Sequence, residues 1–116
     1  MKQLTKIGVI GAGNMGSGIV QKIAQEGLSV VMIDTEEMFI QKGLANITSL
    51  LQAGVDRKIF SPAQMAATLA RIIATVDFNQ VADADLIIEA VFEDKAVKTA
   101  LFQKLDAICD EHTIFA

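Results

Sequence analysis

The apolar residues of this chain follow two rhythms. Compact runs stand at 7–10 (I-G-V-I), 28–33 (L-S-V-V-M-I), 71–75 (R-I-I-A-T) and 85–91 (D-L-I-I-E-A-V), and between them apolar residues recur every three or four positions. Short runs rich in Ile and Val predict strands covered on both faces; the longer period predicts amphipathic helices. A first strand is expected over 4–10 and a first helix over 14–26, with Met15, Ile19 and Ile23 as its apolar stripe and Val20 and Ala24 beside it. Gly27 stands where a helix end turns left-handed, and a second strand follows over 28–33. Thr35, Glu36 and Glu37 read as a Thr cap and two acids opening the next helix. Ile40, Leu44, Ile47 and Leu51 carry its buried face and Gly54 ends it. After a connection over 55–60, Ser61-Pro62-Ala63-Gln64 is a strong helix start: a Ser cap, Pro at the first helical position and Gln as capping-box partner. That helix runs to about residue 70. A third strand (71–75), a link with a helical turn (77–84), a fourth strand (85–91), a long helix (94–110, stripe Val97, Leu101, Leu105, Ile108) and the start of a fifth strand (113–115) complete the pattern.

Strands alternating with helices give one α/β domain over 1–116, a doubly wound parallel sheet with right-handed crossovers. The expected strand order is 3-2-1-4-5, with a two-helix insertion after strand 2 and the sheet truncated at strand 5. No repeat, low-complexity segment or internal linker interrupts it. In such sheets ligands bind beyond the carboxyl ends of the strands, where the order reverses between strands 1 and 4.

The chemistry gathers at that place. Gly11, Gly13 and Gly16 give the spacing G-x-G-x-x-G directly after the first strand and at the start of the first helix. Gly11 permits the sharp turn, Gly13 lets a pyrophosphate approach bare backbone, and Gly16 lets helix and strand pack closely, as in a Rossmann-type fold. The helix then aims unpaired N–H groups and its positive end at the anion. Asp34, at the tip of the second strand, lies at the distance in sequence where a carboxylate accepts hydrogen bonds from the adenine ribose. It also repels a 2′-phosphate, since like charges about 4 Å apart cost roughly 4 kcal/mol at an effective dielectric of about 20. No Arg or Lys lies between Asp34 and Ile40, so the cofactor is read as NAD rather than NADP. Asp34 as a simple cap of the next helix is the alternative.

Composition narrows the field. The net charge of −4 argues against a nucleic-acid groove or an anionic membrane surface as partner. With 52% hydrophobic residues and no Trp or Tyr, the core is built from Ile, Val, Leu, Ala and Met. The single cysteine, Cys109, excludes an intrachain disulfide and fits a reducing compartment. No metal-ligand constellation is present, and no run reaches the ~18 apolar residues of a membrane span. Asn14 and the glycines interrupt the apolar stretch after Lys2 and Lys6, which therefore does not read as a signal peptide. A cytoplasmic protein is expected, or a matrix protein if a transit segment was removed.

The segments G-A-G-N-M-G-S-G-I, V-V-M-I-D, D-L-I-I-E-A-V-F-E-D-K-A-V-K and H-T-I-F-A together closely resemble the NAD-binding domain of L-3-hydroxyacyl-CoA dehydrogenases. The two-helix arm after the second strand matches too, and the resemblance covers about 6–116. It implies that Gly11, Ala12, Gly13, Asn14, Met15 and Gly16 bind the pyrophosphate and that Asp34 holds the adenine ribose. It further implies that Ala90 and Val91 line the cofactor and that Glu93 and Lys98 sit beside the nicotinamide half. Read without the resemblance, Glu93 or Asp94 with Lys98 is an ordinary surface pair worth a few tenths of a kcal/mol.

The family's S-N-T-S-S-type segment, its catalytic His in an H-F-x-x-P-type motif and the later Glu partner have no counterpart in these residues. His112 matches the start of the last strand, so no residue here is assigned a catalytic role. The implied activity is oxidation of L-3-hydroxyacyl-CoA to 3-ketoacyl-CoA with NAD, in fatty-acid β-oxidation or butanoate metabolism. The full enzyme would bind an acyl-CoA and form a homodimer through its carboxy-terminal domain; this chain alone is expected to bind NAD without turnover. Arg57 and Lys58 are open between a contact to coenzyme A phosphates and a solvated charge cluster. Glu89 is read as bonding near the crevice and Cys109 as inert. Rival readings are the cofactor domain of another hydroxyacid dehydrogenase or imine reductase, a stand-alone redox-sensing nucleotide module, and FAD binding.

Overall fold

The computed structural model describes residues 6–90, together with 107 and 114–115. The elements are β1 (Lys6–Ile10), α1 (Asn14–Gln25), β2 (Ser29–Ile33), α2 (Glu37–Asp56), α3 (Pro62–Ala70), β3 (Ile72–Thr75), a 3-10 turn (Phe78–Val81), β4 (Leu86–Glu89) and β5 (Ile114–Phe115). Their strands form one five-stranded sheet in the order β3-β2-β1-β4-β5. Every pairing is parallel. The expected topology, including the two-helix arm between β2 and β3, is therefore observed. The long helix expected over 94–110, except for a helical Ala107, lies outside the described residues, as do Cys109 and His112.

Register sorts the strand residues onto two faces. Ile7, Val9, Val30 and Met32 share one face and pack with Val20 and Ala24 of α1 and Ile40, Ile47 and Leu51 of α2. Ile10, Val31, Ile33 and Ile87 lie on the other, covered by Phe78, Val81 and Ala84. Each fully buried Ile, Leu or Val contributes roughly 1.5–3 kcal/mol. The α1 stripe needs one correction. Val20 and Ala24 are buried, Ile19 and Ile23 half-buried, but Met15 is 72% exposed. Met15 stands in the first turn of α1, next to the loop that leaves β1.

The arm departs from expectation at both ends. Helix α2 begins after Glu36, which makes no side-chain cap bond. Thr35 does not cap it; its N–H donates to Asp34 Oδ1 at 2.7 Å and its hydroxyl to the same atom at 3.3 Å. At the other end Gly54 does not stop the helix, which continues to Asp56. Gly54 is buried inside it because the Phe60 ring lies where its side chain would be, 2.3 Å from a built Cβ. The helix is ended instead by Lys58 in the left-handed region, with φ 61°. Lys58 N–H donates to Val55 O at 3.0 Å and Ile59 N–H to Gly54 O at 2.8 Å, the two bonds of a Schellman motif.

A lysine in a conformation that costs an L-residue about 1–2 kcal/mol gives a direct prediction. Lys58→Gly raises the denaturation midpoint at unchanged slope, corresponding to about 1 kcal/mol of added stability. A lowered midpoint contradicts this description of the turn.

Helix α3 starts as its sequence requires. Gln64 N–H donates to Ser61 Oγ at 3.1 Å and Ser61 N–H to Gln64 Oε1 at 2.7 Å, with Pro62 at the first position. Arg71 then reaches back, its Nη1 donating to Ala24 O at 2.9 Å, and satisfies the carboxyl end of α1. At the opposite edge from the crevice, Lys6 pairs with Asp83 and holds that carboxyl below its ordinary value, chiefly through their hydrogen bond.

Candidate functional site

The carboxyl ends of β1, β2 and β4 converge on the loop that leaves β1. Gly11 turns the chain with φ 110°, and its N–H donates to Ile33 O at 2.7 Å, anchoring the loop to β2. Ala12 follows, buried, and its N–H donates to Asp34 Oδ2 at 2.9 Å. Gly13 is exposed and extended (φ −69°, ψ −170°), with nothing within 4 Å of a built Cβ. Gly16 is the reverse case: a Cβ there would stand 1.8 Å from Gly11 O and 3.7 Å from the Ala90 Cβ. The loop is thus closed on its inner side and bare on its outer side.

The first turn of α1 points at that bare side. It has no side-chain cap and no acid, whereas α3 satisfies its own start with Ser61 and Gln64. Among the described residues no side chain caps its first N–H groups, which with the positive dipole end suit an anion. Opposite stands Asp34, half-buried, each carboxylate oxygen already accepting backbone N–H: Ala12 on one, Thr35 on the other. With the Thr35 hydroxyl as a third donor, about one of the roughly four acceptor positions of an ionised carboxylate is left for a ribose hydroxyl, and a second opens when the Thr35 hydroxyl rotates away. Asp34 does not cap α2, whose cap position is Glu36. Ala90 completes the described crevice, its N–H donating to Ile10 O at 2.8 Å.

Of the residues expected from sequence, Gly11, Ala12, Gly13, Gly16, Asp34 and Ala90 come together here. Asn14 and Met15 occupy the first turn of α1. Val91, Glu93 and Lys98 lie outside the described residues. Arg57 and Lys58, both exposed, are at the far end of α2, a helix about 30 Å long at 1.5 Å per residue; they are not part of this crevice. Among the described residues no cluster of His, Cys, Asp or Glu could hold a metal ion, and no helix is long and apolar enough to cross a membrane. Sequence reasoning missed two supports of the loop: the Ala12–Asp34 bond, and a bond from Asn46 Nδ2 in α2 to the buried Ser17 Oγ in α1 at 2.8 Å. Neither has a local pattern, because each joins residues more than 20 positions apart.

A glycine loop closed within and open without, facing a carboxylate, fits a dinucleotide. A family model described as "3-hydroxyacyl-CoA dehydrogenase, NAD binding domain" matches residues 6–116. The chain belongs to this family. The cofactor of this NAD-binding domain is accordingly NAD. The chain is 34% identical over 113 residues to the fatty acid oxidation complex subunit alpha of a Psychrobacter species, covering 97% of this chain and 16% of that protein. It is 35% identical over 113 residues to 3-hydroxybutyryl-CoA dehydrogenase of Bradyrhizobium diazoefficiens, covering 97% of this chain and 39% of the relative. The crystal structure of (S)-3-hydroxybutyryl-CoA dehydrogenase from Ralstonia eutropha superposes with a TM-score of 0.93 at 34% identity, over 97% of this chain and 40% of that one. The NAD-binding domain thus spans well under half the length of each of these relatives.

Proposed function

We propose that this chain is the cofactor-holding unit, over 1–116, of an enzyme that interconverts L-3-hydroxyacyl-CoA and 3-ketoacyl-CoA with NAD. The observation that carries this reading is the loop over 11–16 with Asp34 opposite, in a chain of this family. Gly11, Ala12, Gly13, Asn14, Met15 and Gly16 hold the pyrophosphate, Gly13 by leaving its path clear and the first turn of α1 by its N–H groups. Asp34 accepts the adenine-ribose hydroxyls and disfavours a 2′-phosphate. Ala90, directly after β4, lines the cofactor, and the family resemblance adds Val91 to that lining and Glu93 and Lys98 to the nicotinamide half. NAD, when bound, supplies the hydride acceptor. The reaction also needs a group to take the hydroxyl proton, and we assign that role to no residue of this chain.

Acyl-CoA binding, assembly as a homodimer outside this domain and a cytoplasmic location complete the proposal. Arg57 and Lys58 are candidates for coenzyme A phosphates. The test is twofold. Titration of the 116-residue chain with NADH should show saturable binding, and the same chain with acetoacetyl-CoA and NADH should show no turnover. Turnover by this chain alone would contradict the assignment of roles; absence of NADH binding would remove the reading altogether.

A further inference from the structure

Ala12 is held from both ends of its backbone. Its N–H is fixed by Asp34. Its carbonyl oxygen lies against Gly43 of α2, where a built Cβ would stand 2.7 Å from that oxygen, 3.1 Å from the Ala12 Cβ and 3.0 Å from Met32 Cε. Gly43 is buried on the inner face of α2. A glycine inside a helix disfavours the helix relative to alanine, so the position makes sense through this close approach. Gly8 and Gly54 are also crowded, but by the side chains of Val81 and Phe60. Gly43, like Gly16, meets the backbone of the loop itself. One turn further along α2, the Asn46–Ser17 bond ties the same stretch of helix to α1.

We propose that Gly43 is a positioning residue for the dinucleotide loop, and that α2 is the wall that seats Ala12. The proposal rests on the reading of residues 11–16 as the pyrophosphate cradle. The link is the planarity of the peptide bond. The Ala12 carbonyl shares a rigid plane with the Gly13 N–H, so whatever fixes the oxygen also aims the N–H at the open side of the loop. A methyl at position 43 pushes the oxygen away, rotates that plane and misdirects a donor of the cradle, although Gly43 is no part of the cradle. Asp34 resists the movement by holding the preceding plane through the Ala12 N–H.

The test is an NMR titration of the chain with NAD and, separately, with adenosine, which carries the ribose hydroxyls but no phosphate. In Gly43→Ala the NAD affinity falls at least tenfold, adenosine affinity stays within twofold, and the Ala12 and Gly13 amide resonances move in the unliganded protein. NAD affinity within twofold of the parent overturns the proposal, as does a parallel loss for adenosine. Should Gly43→Ala fail to fold, Asn46→Ala carries the test, because it loosens α2 from α1 without adding bulk. A loss of threefold or more for NAD, with adenosine unchanged, supports the wall; unchanged NAD affinity overturns it. A parent chain that binds no NAD removes the cofactor reading itself, a result seen before any variant is made.

Discussion

Gly16→Ala reduces NAD affinity by at least 100-fold. The new methyl would stand 1.8 Å from Gly11 O and 2.7 Å from Gly11 C, both backbone atoms. No flexible side chain can yield, so either the loop or the first turn of α1 must shift by about 1 Å or more. Overpacking of this kind typically costs 1–3 kcal/mol of stability. The larger effect falls on the ligand. Hydrogen bonds to a charged group are worth about 1.5–3 kcal/mol each, and misdirecting two of them loses about 3–6 kcal/mol, which is more than 100-fold in affinity. Calorimetric titration with NADH, beside a denaturation curve to show that the variant is folded, reads both effects. Binding within threefold of the parent would mean that the loop is not the cradle.

Asp34→Ala lowers NAD affinity about 100-fold and collapses the preference for NAD over NADP. Two contributions are lost at once. The ribose hydroxyls lose an ionised acceptor, and the Ala12 N–H loses its partner at 2.9 Å. The lost loop support acts on both dinucleotides, but repulsion of a 2′-phosphate disappears for NADP alone, so NADP affinity falls much less than NAD affinity. Asp34→Asn separates the terms: its amide oxygen can still accept from Ala12, but the charge is gone. The ratio of the two dissociation constants is the measurement, and an unchanged ratio in Asp34→Ala contradicts the role given to this side chain.

The site was largely legible because its requirements are local. Gly11 answers a φ of 110° that only glycine adopts easily, and Gly16 answers a contact with a residue five positions away. Asp34 is legible because the second strand ends directly before it and β2 lies beside β1 in any sheet of this topology. The strand order follows from alternation and handedness. What escaped reading depends on tertiary contact. Gly54 looks like a helix stop until Phe60 is seen folded over it, and Lys58 carries no sign that it will take the left-handed position. Thr35 has the composition of a cap, but the neighbouring carboxylate claims its N–H and hydroxyl first. Met15 keeps the apolar period of α1, yet it stands in the first turn, next to the loop that leaves β1, and is exposed. Gly43 has no signature at all, since a glycine in a helical stretch announces neither a packing contact nor its partner.

The most direct test is a crystal structure of the chain grown with NAD. The account predicts the pyrophosphate against the backbone of Gly11, Ala12, Gly13 and the first turn of α1, and the Asp34 carboxylate on the adenine-ribose hydroxyls. A dinucleotide bound elsewhere on the domain, or an Asp34 side chain directed away from the ribose, would contradict it.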